Sequence, residues 1–155
     1  MAVKTTPEGY HSVTPYLICK GAGKALEFYK QAFAAEELSR HEMPDGKVGH
    51  AEIKIGDSPV MLADEFPEMN ALSPLTIGGS PVSLMVYVDD VDGVFKRALA
   101  AGAKETRPVA LQFYGDRLGM FTDPFGHVWS VATHVEDVPP EEMKRRADEA
   151  ARKKA

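Results

Sequence analysis

The feature that most limits what this chain can fold into is a repeated order of elements. From Val13 the sequence reads as strand, helix, strand, strand, strand, and from Val82 it reads the same way again. A duplicated order settles architecture before any single motif does. In the first copy, residues 13–19 are rich in branched and aromatic side chains, as strands are. Pro15 cannot donate a ladder hydrogen bond, so this strand lies at a sheet edge or starts near the proline. After Gly21-Ala22-Gly23, the residues Ala25, Leu26, Tyr29, Ala32 and Phe33 fall on one helical face. Two strands then flank Asp45-Gly46, a hairpin signal, and the second of them alternates, with Ala51, Ile53 and Ile55 on one side. A short apolar strand at 59–63 completes the copy.

The second copy opens with Val82, Leu84, Val86 and Val88 alternating against Ser83, Met85 and Tyr87. Asp89-Asp90 supplies a helix cap. Val91, Val94, Phe95, Ala98 and Leu99 form the helical face, and Gly102 ends it. Strands are expected at 105–110, 118–122 and 127–133, the last two joined by the turn Asp123-Pro124-Phe125-Gly126. Val48-Gly49-His50 and Leu118-Gly119-Met120 stand at matching places in the two copies. The sum is an α+β fold of about eight strands and two main helices. Residues 65–81, rich in Pro, Gly and Ser, read as a connecting loop long enough to cover a pocket. From Asp137 a charged helix follows, with i,i+4 pairs possible at Glu141/Arg145, Glu142/Arg146, Asp148/Arg152 and Glu149/Lys153.

Composition excludes some functions. A net charge of −5 argues against general nucleic-acid binding, which wants a basic surface. No apolar run approaches a membrane span, and Met1 to Tyr10 lacks the apolar stretch of a signal peptide. The lone cysteine, Cys19, lies in an apolar run and reads as a core residue of a protein kept in a reducing, cytoplasmic setting.

Three stretches carry a family resemblance. They are Pro15-Tyr16-Leu17 followed by Ala25-Leu26-Glu27-Phe28-Tyr29-Lys30-Gln31-Ala32-Phe33, the junction Val86 to Asp92, and Asp123-Pro124-Phe125-Gly126-His127-Val128-Trp129. In this order they resemble the vicinal-oxygen-chelate superfamily, the glyoxalase/bleomycin-resistance/dioxygenase fold, and its PhnB-like branch. The resemblance implies two tandem βαβββ modules, 11–64 and 82–136, joined by loop 65–81 into one domain (1–137), with the charged helix 138–155 outside it. The modules would form a curved mixed β-sheet cup. It also implies a homodimer and, in metal-using members, four ligands on the first and last strand of each module.

Carried across residue by residue, those ligand positions fall at Thr14, at Met61 or Leu62, at Ser83 and at Ser130. Hydroxyls and an apolar side chain hold divalent ions poorly. The expectation is therefore a small-molecule-binding, sequestering protein with no metal cofactor and no enzymatic activity. Thr14, Tyr16, Ser83, Met85, Tyr87 and Ser130 would line its pocket. Phe113, Tyr114 and Arg117 would stand at the mouth, where aromatic rings stack and a guanidinium grips an anion. The alternative is a lyase or dioxygenase with a displaced site for zinc, nickel, iron or manganese. His50 and Glu52 would supply it, two apart on one strand and so on one face. Trp129, alternating with Ser130, would then belong to the core.

Overall fold

In a computed structural model, which describes residues 2–155, the first copy comprises β1 (Tyr16–Cys19), α1 (Ala22–Phe33), β2 (Glu36–Glu42), β3 (Val48–Ile55) and β4 (Ser58–Asp64). The connection holds a 3-10 turn, Pro67–Met69, and a single helical turn, α2 (Pro74–Ile77). The second copy comprises β5 (Ser83–Tyr87), α3 (Val91–Ala100), β6 (Lys104–Leu111), β7 (Asp116–Thr122) and β8 (Val128–His134), and α4 (Pro140–Lys153) follows. The two four-stranded sheets have the orders β1-β4-β3-β2 and β5-β8-β7-β6. In each, the first strand runs parallel to the last and the other pairs are antiparallel.

Two local expectations need correction. The first strand begins at Tyr16, not Val13, so both readings of Pro15 hold: the strand starts beside it and lies at the sheet edge. Pro15 donates nothing, although its carbonyl still accepts the Met61 N–H at 2.9 Å. Alternation therefore does not fix where Thr14 points, and its hydroxyl donates to the His11 carbonyl at 3.2 Å. The connection 65–81 is also less irregular than its composition suggests. Phe66 and Ala71 exchange backbone hydrogen bonds, and Ser73 caps α2 by accepting the Thr76 N–H. Helical turns this short are invisible to periodicity.

Alternation explains the core. Leu17, Cys19, Ala51, Ile53, Val60 and Leu62 are buried from the first sheet, and Phe121, Trp129 and Val131 from the second. Helices α1 and α3 share that core with both sheets. Aromatic rings from α1 cross to the second sheet: Phe33 lies 4.7 Å from Trp129 and Phe28 lies 6.4 Å from Phe121. The two copies thus have a single interior. Neither α1 nor α3 covers the other face of either sheet.

One buried carboxylate ties the halves together. Asp123 Oδ1 accepts the backbone N–H groups of Phe125 and His127. Its Oδ2 accepts the Tyr29 hydroxyl at 2.5 Å and the Trp129 indole N–H at 2.9 Å. Burial, and then the adjacent Asp123 charge, raise the Tyr29 phenol well above its ordinary pKa, so it stays a donor. His127, on the same turn, bonds through Nε2 to the Ile18 carbonyl at 2.9 Å. Nearby, burial pushes the Cys19 thiol up, which makes it inert rather than nucleophilic.

The tail is fastened by charge. His134 lies between Asp116 Oδ1 and Asp137 Oδ1, each 2.7 Å from a ring nitrogen. Arg146 of α4 reaches Glu136 and the Phe113 carbonyl. Of the four expected helix pairs, Glu142/Arg146 and Glu149/Lys153 form. Arg145 turns to Glu142 and Glu149 instead of Glu141, and Asp148 meets Lys144 instead of Arg152.

Asp123→Asn keeps the volume but turns two donors at the site against an amide N–H₂. With about 1–3 kcal/mol for each orphaned buried group, chemical denaturation should show a loss of about 2–5 kcal/mol. For His134, bonding to Asp116 and then Asp137 raises the folded-state pKa. That stabilisation is full below the unfolded value of roughly 6.5 and fades as pH rises through the higher folded value. Thermal melts between about pH 5 and 8 should show the native chain losing more stability with rising pH than His134→Gln does.

Candidate functional site

The uncovered sheet faces carry the polar and large side chains that the core leaves out. On the first sheet, strand pairing sets Tyr16, Met61, Glu52 and Ser39 in one row. Ile18 and Ala63 are paired in the next, and His50 with His41. On the second sheet, Met85, Ser130 and Met120 form a row, flanked by Ser83 with Val128 and by Tyr87 with Ala132 and Leu118. The two registers correspond: Tyr16 matches Met85, and Met61 matches Ser130. This places the fourth family ligand position at Met61, since Leu62 is fully buried on the helix side.

The four positions are then Thr14, Met61, Ser83 and Ser130. Three neutral hydroxyls and a thioether are a poor donor set for zinc, nickel, iron or manganese, so the residues do not fit the ion that the fold family implies. Among the described residues, no group of three or more His, Cys, Asp or Glu is arranged to hold a metal.

The remaining residues fall into two clusters. On the first sheet the Tyr16 hydroxyl lies 2.8 Å from His50 Nδ1, and His50 Nε2 lies 3.8 Å from Glu52 Oε1. Glu52 is held from behind by the Tyr10 hydroxyl at 2.5 Å and the Ser39 hydroxyl at 3.0 Å. The Tyr10 hydrogen bond, with a smaller contribution from Ser39, holds the Glu52 carboxyl below its usual range. The same bond pushes the Tyr10 phenol up to about 12. On the second sheet the Tyr87 hydroxyl donates to Asp116 Oδ2 at 3.1 Å, and Asp116 is buried between Tyr87 and His134.

A cavity of about 600 Å³ at the seam between the sheets is lined by Thr14, Met85 and Tyr87. Tyr16 opens instead onto two other hollows, of about 420 and 480 Å³. Ser83 and Ser130 share the Met85 face. Phe113 and Tyr114 pack edge to face at 5.2 Å in the turn between β6 and β7. Arg117 is not with them: it points to the helix side, where Asp92 of α3 takes its guanidinium in two 2.8 Å bonds. Trp129 is a core residue, as its alternation with Ser130 requires. Sequence reasoning did not find Tyr10, Ser39, Asp116 or His134. Ser39 was not accessible, because a bulge between His41 and Glu42 shifts the register by one, and counting from the Asp45-Gly46 turn would have set Leu38 opposite Glu52. Tyr10 lies in an irregular arm that gives no signal.

Comparison with known proteins agrees with this architecture. The profile described as Glyoxalase/Bleomycin resistance protein/Dioxygenase superfamily matches residues 9–131. An uncharacterised protein of Mycobacterium bovis is 40% identical over 147 residues, covering 93% of this chain and 94% of that protein. The crystal structure of an Arabidopsis thaliana gene product superposes with a TM-score of 0.64 at 26% identity, covering 79% of this chain and 98% of that one. The PhnB protein of Bacillus cereus shares the fold with a TM-score of 0.61 at 22% identity, covering 79% and 99%. The chain belongs to the glyoxalase/bleomycin-resistance/dioxygenase superfamily.

Proposed function

We propose that the chain binds and sequesters a small molecule against its uncovered sheet faces, with no metal at the superfamily's usual position and no turnover. The observation that carries this reading is the exposure of large side chains where alternation turns them away from the core. Tyr16 is 48% exposed, Met85 45% and Tyr87 61%. Apolar and aromatic surface with a few fixed hydroxyls is what small-molecule sites are made of. Thr14, Ser83 and Ser130 would supply the hydroxyls, and Phe113 and Tyr114 of the turn between β6 and β7 would flank the site. Arg117, committed to Asp92, takes no part.

In the same reading, two copies pair so that a face of one closes over a face of the other, which would complete the cup. Among the described residues no helix is long and apolar enough to cross a membrane, and a cytoplasmic setting suits the single buried thiol. Sedimentation should give a homodimer, and Met85→Arg should shift it toward monomer.

One observation favours a second reading, a metal-dependent lyase or dioxygenase. His50 and Glu52 share an uncovered face at 3.8 Å, and a second subunit could add ligands. Dialysis of the untagged protein against zinc, nickel, iron and manganese separates the two. Stoichiometric retention that His50→Ala abolishes would overturn the metal-free reading. No retention, with melting raised by aromatic ligands in a thermal-shift screen, is the expected result. Ligand at a hundred times its Kd should add about 2.7 kcal/mol.

A further inference from the structure

A hollow on the first sheet is lined by none of the family's ligand positions. It lies over the C-terminal ends of β1 and β4 and has a volume of about 480 Å³. Ile18, Gly49 and Ala63 line it from the sheet, and Met43, Phe66 and Met69 line it from connecting segments. Glycine keeps it open: a Cβ at Gly49 would stand 3.1 Å from the Met43 sulfur and press on it. Phe66 and Met69 belong to a short flap that the Phe66–Ala71 backbone pair closes on itself. A second aromatic ring, Tyr16, completes the lining. Its hydroxyl lies 2.8 Å from His50 Nδ1, outside the hollow, and this contact fixes the ring.

The charges around this hollow favour a cation. Asp64 and Glu68 are the charged residues of the lining, and no Lys, Arg or His is among them. Asp64 accepts the backbone N–H groups of Gly21, Ala22 and Val48, which engage its oxygens without cancelling its charge. Those bonds use most of the roughly four acceptor sites of a carboxylate. Asp64 thus attracts positive charge but has little left to offer an N–H donor. Glu68 stands exposed at the rim. Negative potential also reaches Tyr16, whose phenol is raised by burial and then by the Glu52 charge. The Phe66 ring already receives one cation: Lys47 Nζ, which does not line the hollow, lies 5.4 Å from its centroid.

We propose that this hollow binds a small quaternary ammonium cation, with its methyl groups against the Phe66 and Tyr16 rings and its charge balanced by Asp64 and Glu68. A quaternary nitrogen has no N–H, so it asks nothing of the occupied Asp64 oxygens. Aromatic faces attract such a cation through their quadrupole, and the attraction grows as water is excluded. A primary ammonium is strongly hydrated and would leave N–H groups unpaired here. Met43 and Met69 are flexible and polarizable, and adapt to the remaining surface of the guest. No covalent bond is made or broken. The proposal names a ligand class for the first sheet, and so deepens the small-molecule reading above and rests on it.

The test is a titration of the full chain with choline, followed by ligand-observed NMR. Its partner probe is 3,3-dimethylbutan-1-ol, which has the same shape with carbon in place of the charged nitrogen. Choline should bind at least about tenfold more tightly, and added salt should weaken choline alone. Phe66→Leu keeps an apolar wall without the ring, and should remove most of choline's advantage. Tyr16→Leu should reduce it as well. Glu68→Gln should weaken choline about two- to fivefold, and Lys47→Gln should tighten it by removing a like charge, with the neutral probe unchanged in both. Each variant is checked for native melting, and Tyr16, Lys47 and Glu68 are exposed positions. Equal affinity for the two probes, or an advantage that survives both Phe66→Leu and Tyr16→Leu, would overturn the proposal. So would choline binding that Met85→Ala weakens and Phe66→Leu does not, which would place the cation on the second sheet and leave the small-molecule reading intact. No binding of choline also overturns the proposal, while the small-molecule reading falls only if the thermal-shift screen is empty as well.

Discussion

The fold depends on a buried carboxylate whose hydrogen bonds come from the protein itself. Asp123 is buried, and both its oxygens are satisfied within the chain: two backbone N–H groups of its own turn, a phenol from α1 and an indole from β8. Burying a charge is unfavourable unless it is fully hydrogen-bonded. Here every donor is in place, so the group that would be most destabilising alone becomes the joint between the halves. The Tyr29 contact is the consequential one, because α1 belongs to the first copy and Asp123 to the second. Aromatic packing of Phe28 and Phe33 on Phe121 and Trp129 adds area to the same contact. Hydrophobic burial drives the association, and the carboxylate sets its register.

The location of the candidate site follows from that joint. With both helices in one core, the helix-bearing face of each sheet is used up and the opposite face is left to chemistry. Strand alternation then sorts residues without further instruction: Leu17 and Cys19 inward, Tyr16 and Ile18 outward. Arg117 and Asp116 are neighbours on β7 and go opposite ways, one to clamp α3 and the other to the Tyr87 and His134 cluster. Where the superfamily's metal users place ligands, this chain has hydroxyls and a thioether. Its polar groups have gathered instead a strand away, on β3.

Much of the fold was legible because it is periodic. The element order, the helix faces and the turns at Asp45-Gly46 and Asp123-Pro124-Phe125-Gly126 can each be read from spacing and turn chemistry. What could not be read was set by contacts distant in sequence. The Glu52 cluster needs Tyr10, 42 residues earlier, from an arm without regular structure. Asp116 and His134 meet only because β7 and β8 pair in one register. The sequence suggests a ligand anion for Arg117, but its partner is Asp92 on another element, 25 residues away. The face of a strand residue can be derived from its neighbours, but its hydrogen-bond partner usually cannot.

The two halves repeat in order but not in bonding. At the end of β4, the Asp64 carboxylate takes only backbone N–H groups, from Gly21, Ala22 and Val48, all within its own half. Asp123, after β7, has recruited a side chain from the other half. One copy is chemically self-sufficient at this point and the other is not. If the chain arose by doubling of an ancestral module, that doubling is no longer reversible. The second half, released, would carry a carboxylate short of a donor, and the first would lose the acceptor of its phenol together with the aromatic partners of Phe28 and Phe33. At this joint one repeat serves as the scaffold on which the other relies.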